Sequence, residues 1–256
     1  MHKRTVLHPA VYAAMALLDS QDATRWSVAF DACGTAIQHL AAQKRDPDKL
    51  IALDRWFYSP VSVGQKSTLD KATLTKIVEW KLSRGTFRPG LLQKAASNSE
   101  GAVKEAYESA KAALVDREGV DDAGVKAVKA LEKSLAGIGP ATATAVLCRA
   151  FPQSVAFMSD EAILACGLFA KAGDIKYDMK TFTRFNEVVQ SKAQLLNQAL
   201  PRGKQTWTAD AVGRALWAEW TLGNAATKNQ GGLQLKKSPA SKLAAASGVR
   251  RTIKKP

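Results

Sequence analysis

The sequence predicts an all-α protein, and two observations lead to that fold class. Apolar residues recur at the three- and four-residue spacing of amphipathic helices along most of the chain, whereas the alternating pattern of strands is scarce. Apolar residues also make up 46% of the 256 residues, which is enough to bury a core. About eleven helices packed into one compact unit are therefore expected.

Helix-bounding residues support this division of the chain. Pro47 suits the start of one helix and Pro60 lies beyond its end, while Asp70 is placed to cap the next helix and Gly85 to close it. Thr208 is placed to cap the last helix. The predicted helical stretches are 9–19, 24–43, those bounded by Pro47 and Pro60 and by Asp70 and Gly85, 89–96, 99–115, 121–135, 140–150, 159–170, 180–200 and 208–220.

The positive charge of the chain is unevenly distributed. The formal net charge is +14, and eight of the 37 basic residues but none of the 23 acidic ones lie in residues 224–256. Because this segment has few large apolar side chains, a disordered basic tail is expected there. Before it, N-terminal helices at 1–46 are expected to pack on a helical domain at 47–223. Polyanions, and nucleic acid first among them, are the natural partners of such a chain.

Cysteine usage and hydropathy narrow the class of protein further. Cys33, Cys148 and Cys166 show no paired spacing, which argues against a disulfide framework, a zinc site or an iron–sulfur cluster and favours a reducing compartment. No apolar run reaches the roughly 18 residues of a membrane span. The basic stretches 235–242 and 249–256 are typical of nuclear-import signals or DNA tethers, so a nuclear location is expected; a solvated linker is the alternative.

The stretch "LAGIGPATATAVL", residues 135–147, predicts a tight turn between two helices. Gly137 and Gly139 permit a positive φ or the close approach of another backbone, Ile138 anchors the turn in the core, and Pro140 suits the first position of the next helix. Unsatisfied N–H groups and the dipole at the start of that helix favour a bound phosphate. The alternative is an ordinary helix connection that binds no ligand.

The pattern L-x-G-I-G-x-x-T-A in this turn resembles the helix-hairpin-helix motif of DNA-binding proteins. It is similar to the form found in the endonuclease III-like DNA glycosylase superfamily, whose fold is called HhH-GPD. The resemblance covers residues 135–163, with the hairpin at 135–150, and extends by helix count to 47–222. It implies contacts with double-stranded DNA by Gly137, Ile138, Gly139 and Thr142. Hairpins of this kind also resemble sites in which carbonyl oxygens surround a monovalent cation, and no other cofactor is implied.

Asp160 occupies the position to which this resemblance assigns catalysis. In the superfamily an essential aspartate follows the hairpin and begins the next helix, and "FMSDEAI" places Asp160 there. Its carboxylate would stabilise the cation-like sugar as the base departs and help to orient the attacking water. Alternatively, Asp160 or Ser159 simply caps the helix that begins at this point.

The chain also departs from the superfamily pattern. Members that cleave the DNA strand carry a lysine just before the Thr-Ala of the hairpin, where this chain has Ala141. The resemblance therefore implies a monofunctional enzyme without a lyase step. In addition, Ala136 stands where proline is usual, and Glu161 stands where threonine or aspartate is more familiar.

A second stretch, "EWKLSRGTFRPG", interleaves basic and aromatic residues. It indicates an edge at which Lys81, Arg84 and Arg88 grip phosphates while an aromatic side chain wedges into the duplex. The alternative is an ordinary helix end, in which the helix dipole favours Arg84 and Trp80 is half-buried.

These features predict a monomeric protein that binds double-stranded DNA and hydrolyses the N-glycosidic bond of damaged or modified bases as a monofunctional glycosylase. One alternative is a non-catalytic DNA- or chromatin-binding protein that keeps the helix-hairpin-helix scaffold. Another is a helical interaction domain whose hairpin never meets DNA.

Overall fold

The computed structural model describes residues 9–61, 68–115, 123–199 and 206–234. Within these ranges the chain is helical and contains no strand, which confirms the all-α fold class. A short 3₁₀ helix at Ala172–Asp174 precedes the last two α-helices. The α-helices are α1 (Pro9–Asp19), α2 (Ala23–Asp31), α3 (Cys33–Ala41), α4 (Pro47–Phe57), α5 (Lys71–Arg84), α6 (Leu91–Ala96), α7 (Glu100–Val115), α8 (Ala123–Ser134), α9 (Pro140–Ala150), α10 (Asp160–Ala165), α11 (Met179–Ala199) and α12 (Ala209–Gln234).

The longest helix, α12, is the axis about which one half of the molecule packs. Helices α1, α2, α3, α10 and α11 all contact it. Ala209, Ala215 and Ala218 on α12 are fully buried, and such small side chains let neighbouring helices approach its backbone closely. The helices before residue 47 therefore pack on the same helix, α12, as α10, which carries the catalytic candidate Asp160.

The other half is centred on α5, which contacts α4, α6, α7 and α9. The indole of Trp80 stacks on the ring of Phe57 with 3.6 Å between centroids, and its N–H donates to Asp54 at 2.9 Å. Trp80 is fully buried, whereas the alternative interpretation of its stretch as an ordinary helix end left it half-buried. The Phe57 ring covers one of its faces, and Asp54 accepts from its N–H. The guanidinium of Arg149 on α9 donates to the carbonyl of Phe57 at 3.1 Å and so closes the end of α4.

Several predicted boundaries are confirmed. Helices α1 and α9 coincide with the predicted stretches 9–19 and 140–150. The side chain of Asp70 accepts a hydrogen bond from the Thr73 N–H at 2.6 Å, and that of Thr208 accepts from the Ala211 N–H at 3.0 Å. Both are the capping bonds that the sequence predicts at these helix starts.

Two predicted helices are interrupted or shortened. The stretch 24–43 forms two helices, because the chain bends at Ala32, where ψ is −5°, and each piece then packs against α12. The stretch predicted at 159–170 ends at Ala165, because Gly167 adopts a φ of +68° that closes the helix.

The disordered tail was predicted to begin at residue 224, and this boundary is too early. Helix α12 continues to Gln234, because a helix that is already formed extends at little cost through residues that lack proline. Residues 235–256, which hold both basic stretches of the predicted tail, lie outside the described residues, as do residues 1–8. None of the described helices is long and apolar enough to cross a membrane.

Candidate functional site

The turn between α8 and α9 requires glycine at its first position. Gly137 has a φ of +76°, a left-handed conformation that costs other residues free energy. A Cβ at Gly137 would also lie 2.9 Å from the Cβ of Lys94 and 3.1 Å from the backbone nitrogen of Ala95. Ile138 is only 3% exposed and anchors the turn in the core. Both the positive φ and the buried anchor confirm the sequence-based prediction.

Asn98 clamps the turn to the end of α6. Its side-chain amide donates to the carbonyl of Ala136 at 3.0 Å and accepts from the N–H of the same residue at 2.9 Å. The amide also donates to the carbonyl of Ala95 at 2.8 Å, and Asn98 is 8% exposed. The hairpin is thus held in one orientation by a side chain that no sequence motif marks.

The second glycine leaves backbone donors open. Gly139 is the N-cap of α9 with an extended backbone, and a Cβ added to it would meet nothing within 4 Å. Its carbonyl accepts from Thr142 and Ala143, both at 2.9 Å, and Pro140 has no N–H. Among the described residues, the N–H groups of Gly139 and Ala141 have no hydrogen-bond partner. Two main-chain donors at a helix N-terminus are therefore available to an anion.

The loop that leads from α9 to α10 is tied down by buried side chains. Thr144 Oγ1 accepts from the Met158 N–H at 3.2 Å, Asn186 Oδ1 accepts from Ala156 at 3.1 Å, and Asp210 Oδ1 accepts from Phe157 at 3.1 Å. These three side chains come from α9, α11 and α12. The start of α10 is consequently positioned by three separate helices.

Ser159, not Asp160, caps α10. The Ser159 hydroxyl accepts from the Ala162 N–H at 3.2 Å, and Asp160 is the first residue of the helix. The carboxylate of Asp160 instead accepts a hydrogen bond from the hydroxyl of Tyr177. Burial raises the pKa of Tyr177, and the hydrogen bond to Asp160 raises it further, so this phenol stays protonated as a donor. Capping therefore does not explain the acidic side chain at position 160.

The predicted site residues converge on one cleft of about 560 Å³. This volume lies within the range of small-molecule sites in proteins. The exception is Ile138, whose side chain is in the core. The predicted residues that line the cleft are Lys81, Arg84, Arg88, Gly137, Gly139, Thr142 and Asp160.

Arg84 does not lie on the exposed basic edge that the sequence indicates. It is 7% exposed, and its guanidinium lies 4.0 Å from the centre of the Trp217 ring and 5.4 Å from that of Phe157. It donates to the hydroxyl of Tyr58 at 3.1 Å. Arg84 is thus a buried residue of the cleft, whereas Arg88, which also lines the cleft, and its neighbour in sequence Phe87 are exposed. The prediction of an exposed Arg84 was wrong because aromatic side chains lie around it, and the local sequence does not reveal them.

Thr142 is also less open than expected. It is 3% exposed, and its N–H is occupied by the carbonyl of Gly139. Thr142 forms part of the cleft wall, and the open donors of the hairpin belong to Gly139 and Ala141.

The cleft carries unpaired charges of both signs. Its cations are Lys44, Lys81, Arg84 and Arg88, and its carboxylates are Asp160 and Glu161. In the part of the chain that the structure describes, no ion pair within 4.0 Å joins any of them.

Burial shifts the pKa of three of these charged groups, and it lowers that of Lys44. It lowers the pKa of Lys81, with Arg88 lowering it further and Asp160 opposing the change. Burial also raises the pKa of Glu161, against the effect of the nearby Arg84 and with an added contribution from Asp160. Charges that are dehydrated but not paired with each other are typical of ligand sites.

Four residues of this region were not predicted from the sequence. Lys44 comes from the segment after α3 and donates to the carbonyl of Gly85 at 3.0 Å. Phe157 and Tyr177 line the cleft from the loops on either side of α10, and Asn98 lies behind the hairpin. No local motif marks them, because tertiary packing alone brings them together.

A second cleft, of about 420 Å³, lies beside α11 and is lined by amide, hydroxyl and apolar side chains without a charged residue. It offers no positive charge to a polyanion. The described residues hold no cluster of three or more His, Cys, Asp or Glu side chains that could bind a metal ion.

Comparisons with family models, with curated proteins and with solved structures find no match for this chain.

Proposed function

We propose that the 560 Å³ cleft binds duplex DNA and hydrolyses the N-glycosidic bond of a nucleotide turned out of the helix. The observation that carries this proposal is the convergence of open backbone donors, unpaired cations and a carboxylate on one cleft. The resemblance of the hairpin to the HhH-GPD motif supports the same function from the sequence.

In this proposal the hairpin and the rim of the cleft bind the phosphates. The open N–H groups of Gly139 and Ala141 lie at the positive end of the dipole of α9, where a phosphate oxygen is stabilised without any basic side chain. Lys81 and Arg88 line the same cleft and supply positive charge to neighbouring phosphates. These contacts set the position of the duplex and carry no base specificity.

Phe87 is suited to hold the duplex open. It is 71% exposed and stands next to Arg88 at the rim of the cleft. An apolar side chain inserted between base steps replaces part of the stacking that an extruded nucleotide loses. Damaged bases stack and pair less well, so they are extruded at lower cost.

Asp160 performs the chemical step in this proposal. As the bond between C1′ and the base breaks, its carboxylate stabilises the positive charge that develops on the sugar. It then accepts a proton from the water whose oxygen bonds to C1′, while the departing base takes up a proton. Tyr177 orients the carboxylate through its hydroxyl. Because Ala141 stands at the lysine position, no Schiff base forms and the DNA strand stays intact.

Base release tests the proposal directly. Duplexes that each carry one lesion are incubated with the protein and then treated with alkali, which cleaves the strand wherever a base is missing. We expect strand cleavage for at least one lesion and none without alkali. Asp160→Asn should abolish release, while Asp48→Asn, an exposed aspartate in the first turn of α4, should leave it unchanged.

A non-catalytic DNA-binding protein is the second candidate. It is favoured by the hydrogen bond that already occupies the carboxylate of Asp160 and by the second acid, Glu161, beside it. This function predicts salt-sensitive binding to undamaged duplexes and no base release from any lesion. Cleavage by the wild-type protein that is lost in Asp160→Asn would exclude it.

A further inference from the structure

The inner end of the cleft holds three side chains that hydrolysis at the sugar does not use. Arg84, Phe157 and Glu161 all line the cleft, yet none of them has a role in phosphate binding or in the proposed chemistry. A recognition role for them rests on the proposed function, because it needs DNA in the cleft. It can nevertheless fail while that function stands.

Arg84 is a buried cation with unused hydrogen-bond donors. A guanidinium has five N–H donors in a planar fork, and in this structure Arg84 makes one hydrogen bond, to the hydroxyl of Tyr58. It is 7% exposed and within 4.0 Å of no carboxylate oxygen in the described part of the chain. Buried charges are normally paired, whereas the remaining donors of Arg84, which lines the cleft, lack a partner among the described residues.

Glu161 is the complementary group. Its carboxylate is close enough to Arg84 and Lys44 to interact with their positive charges. In the described part of the chain it forms an ion pair with neither. An ionised carboxylate only accepts hydrogen bonds, and a guanidinium only donates them. A ligand that satisfies both must present acceptors and donors side by side.

Phe157 supplies an aromatic face beside these two groups. It is half-buried, with the Trp80 ring centroid 5.0 Å and the Arg84 guanidinium carbon 5.4 Å from the centre of its ring. The remaining surface lines the cleft. A planar ring that stacks there would share the cleft with Arg84 and Glu161.

We propose that Arg84 and Glu161 read the edge of an extruded guanine-type base that stacks on Phe157. Guanine carries the acceptors O6 and N7 next to each other, which a guanidinium binds with two hydrogen bonds. Its adjacent edge carries the donors N1–H and N2–H₂, which a carboxylate can accept. Adenine interrupts the acceptor edge with an amino group, and thymine presents one donor between two acceptors. Cytosine offers a single amino donor, so it fits the carboxylate with one bond only.

Binding to duplexes with one unpaired base tests this proposal without requiring catalysis. Four labelled duplexes carry a bulged guanine, adenine, cytosine or thymine, and a fifth is fully paired; dissociation constants are measured by fluorescence anisotropy. We expect bulged guanine to bind at least about tenfold more tightly than bulged adenine or thymine, the discrimination that a bidentate pair provides.

Two variants separate base recognition from DNA binding. Glu161→Gln should reduce the guanine preference to about twofold, since an amide replaces one acceptor with a donor, while the protein still binds the paired duplex. Arg84→Lys should have a similar effect, because an ammonium cannot bind two acceptors in a plane. Glu105→Gln, an exposed glutamate on α7, is the matched control and should keep the full preference.

The outcomes distinguish this inference from the function on which it rests. Equal affinity for all four bulges, or a preference for cytosine or thymine, would overturn guanine recognition and leave DNA binding standing. A preference that persists in Glu161→Gln would remove that residue from recognition. No binding to any duplex would overturn both proposals.

Discussion

Replacing Gly137 and Gly139 separately should divide the hairpin into a structural and a functional half. The two glycines are two residues apart and equally prominent in the sequence, but their surroundings differ. Gly137 has a φ of +76° and would place a Cβ against α6, whereas Gly139 has a φ of −94° and faces open space. Alanine at each position should therefore have unequal effects on folding.

The magnitude for Gly137→Ala follows from two costs and one gain. A left-handed backbone costs a residue with a Cβ about 1–2 kcal/mol. The contacts at 2.9 Å with Lys94 and 3.1 Å with the Ala95 backbone add overpacking of about 1–3 kcal/mol. The lower entropy of the unfolded chain returns about 0.4–1 kcal/mol. The free energy of unfolding should fall by about 1–5 kcal/mol.

For Gly139→Ala the same terms nearly cancel. Its backbone is accessible to any residue, and no atom lies within 4 Å of the new methyl group. Alanine is a poorer N-cap than glycine by about 0.5–1 kcal/mol, which the entropy gain of about 0.4–1 kcal/mol offsets. The stability should change by less than about 0.5 kcal/mol.

Urea denaturation followed by circular dichroism measures both variants against the wild-type protein. The midpoint of Gly137→Ala should fall clearly while that of Gly139→Ala stays in place, with equal slopes in all three. Equal destabilisation by the two substitutions, or a neutral Gly137→Ala, would show that the turn does not rest on α6 as described.

Three further predictions concern the clamp, the buried acid and the rim. Asn98→Ala should lower the free energy of unfolding by about 1–3 kcal/mol, seen in the same urea assay, because the turn loses a two-sided hydrogen bond. Glu161→Gln should raise the melting temperature at neutral pH but not in acid. Its raised pKa means that the folded state holds the proton more tightly than the unfolded chain. Stability is therefore lost as the pH rises from the unfolded-state pKa to the raised folded-state pKa, and the full cost of the carboxylate is present above both; a variant less stable than wild type at neutral pH would contradict this. Lys81→Ala and Arg88→Ala should each reduce the slope of log affinity for duplex DNA against log salt by about one, and an unchanged slope would remove that side chain from phosphate contact.

Much of the helical framework could be predicted because helix signals are local. Asp70 and Thr208 cap the helices for which their side chains are suited, and the periodicity of 9–19 and 140–150 gave the bounds of α1 and α9. The bend at Ala32 could not be predicted, because it serves the packing of α2 and α3 on α12 and no local residue demands it.

The site was predictable only where its chemistry lies in a motif. Gly139 and Asp160 were found from the hairpin pattern, and the cleft that contains both is a property of the fold. Arg84 lines the cleft but was predicted at an exposed edge, because the rings of Trp217 and Phe157 that lie close to it come from distant segments. Tyr177 carries no sequence signal, since its role depends on where the loop before α11 passes Asp160.

The open amides of Gly139 and Ala141 are tested most directly by one pair of variants. Gly139→Asp places a carboxylate over these donors, where it caps α9 and repels a phosphate. Gly101→Asp makes the same charge change at an exposed glycine in the first turn of α7, where a Cβ also meets nothing within 4 Å. Duplex affinity at fixed salt should fall at least about tenfold in Gly139→Asp and stay within about twofold in Gly101→Asp. Equal affinities in the two folded variants would contradict phosphate binding at the hairpin.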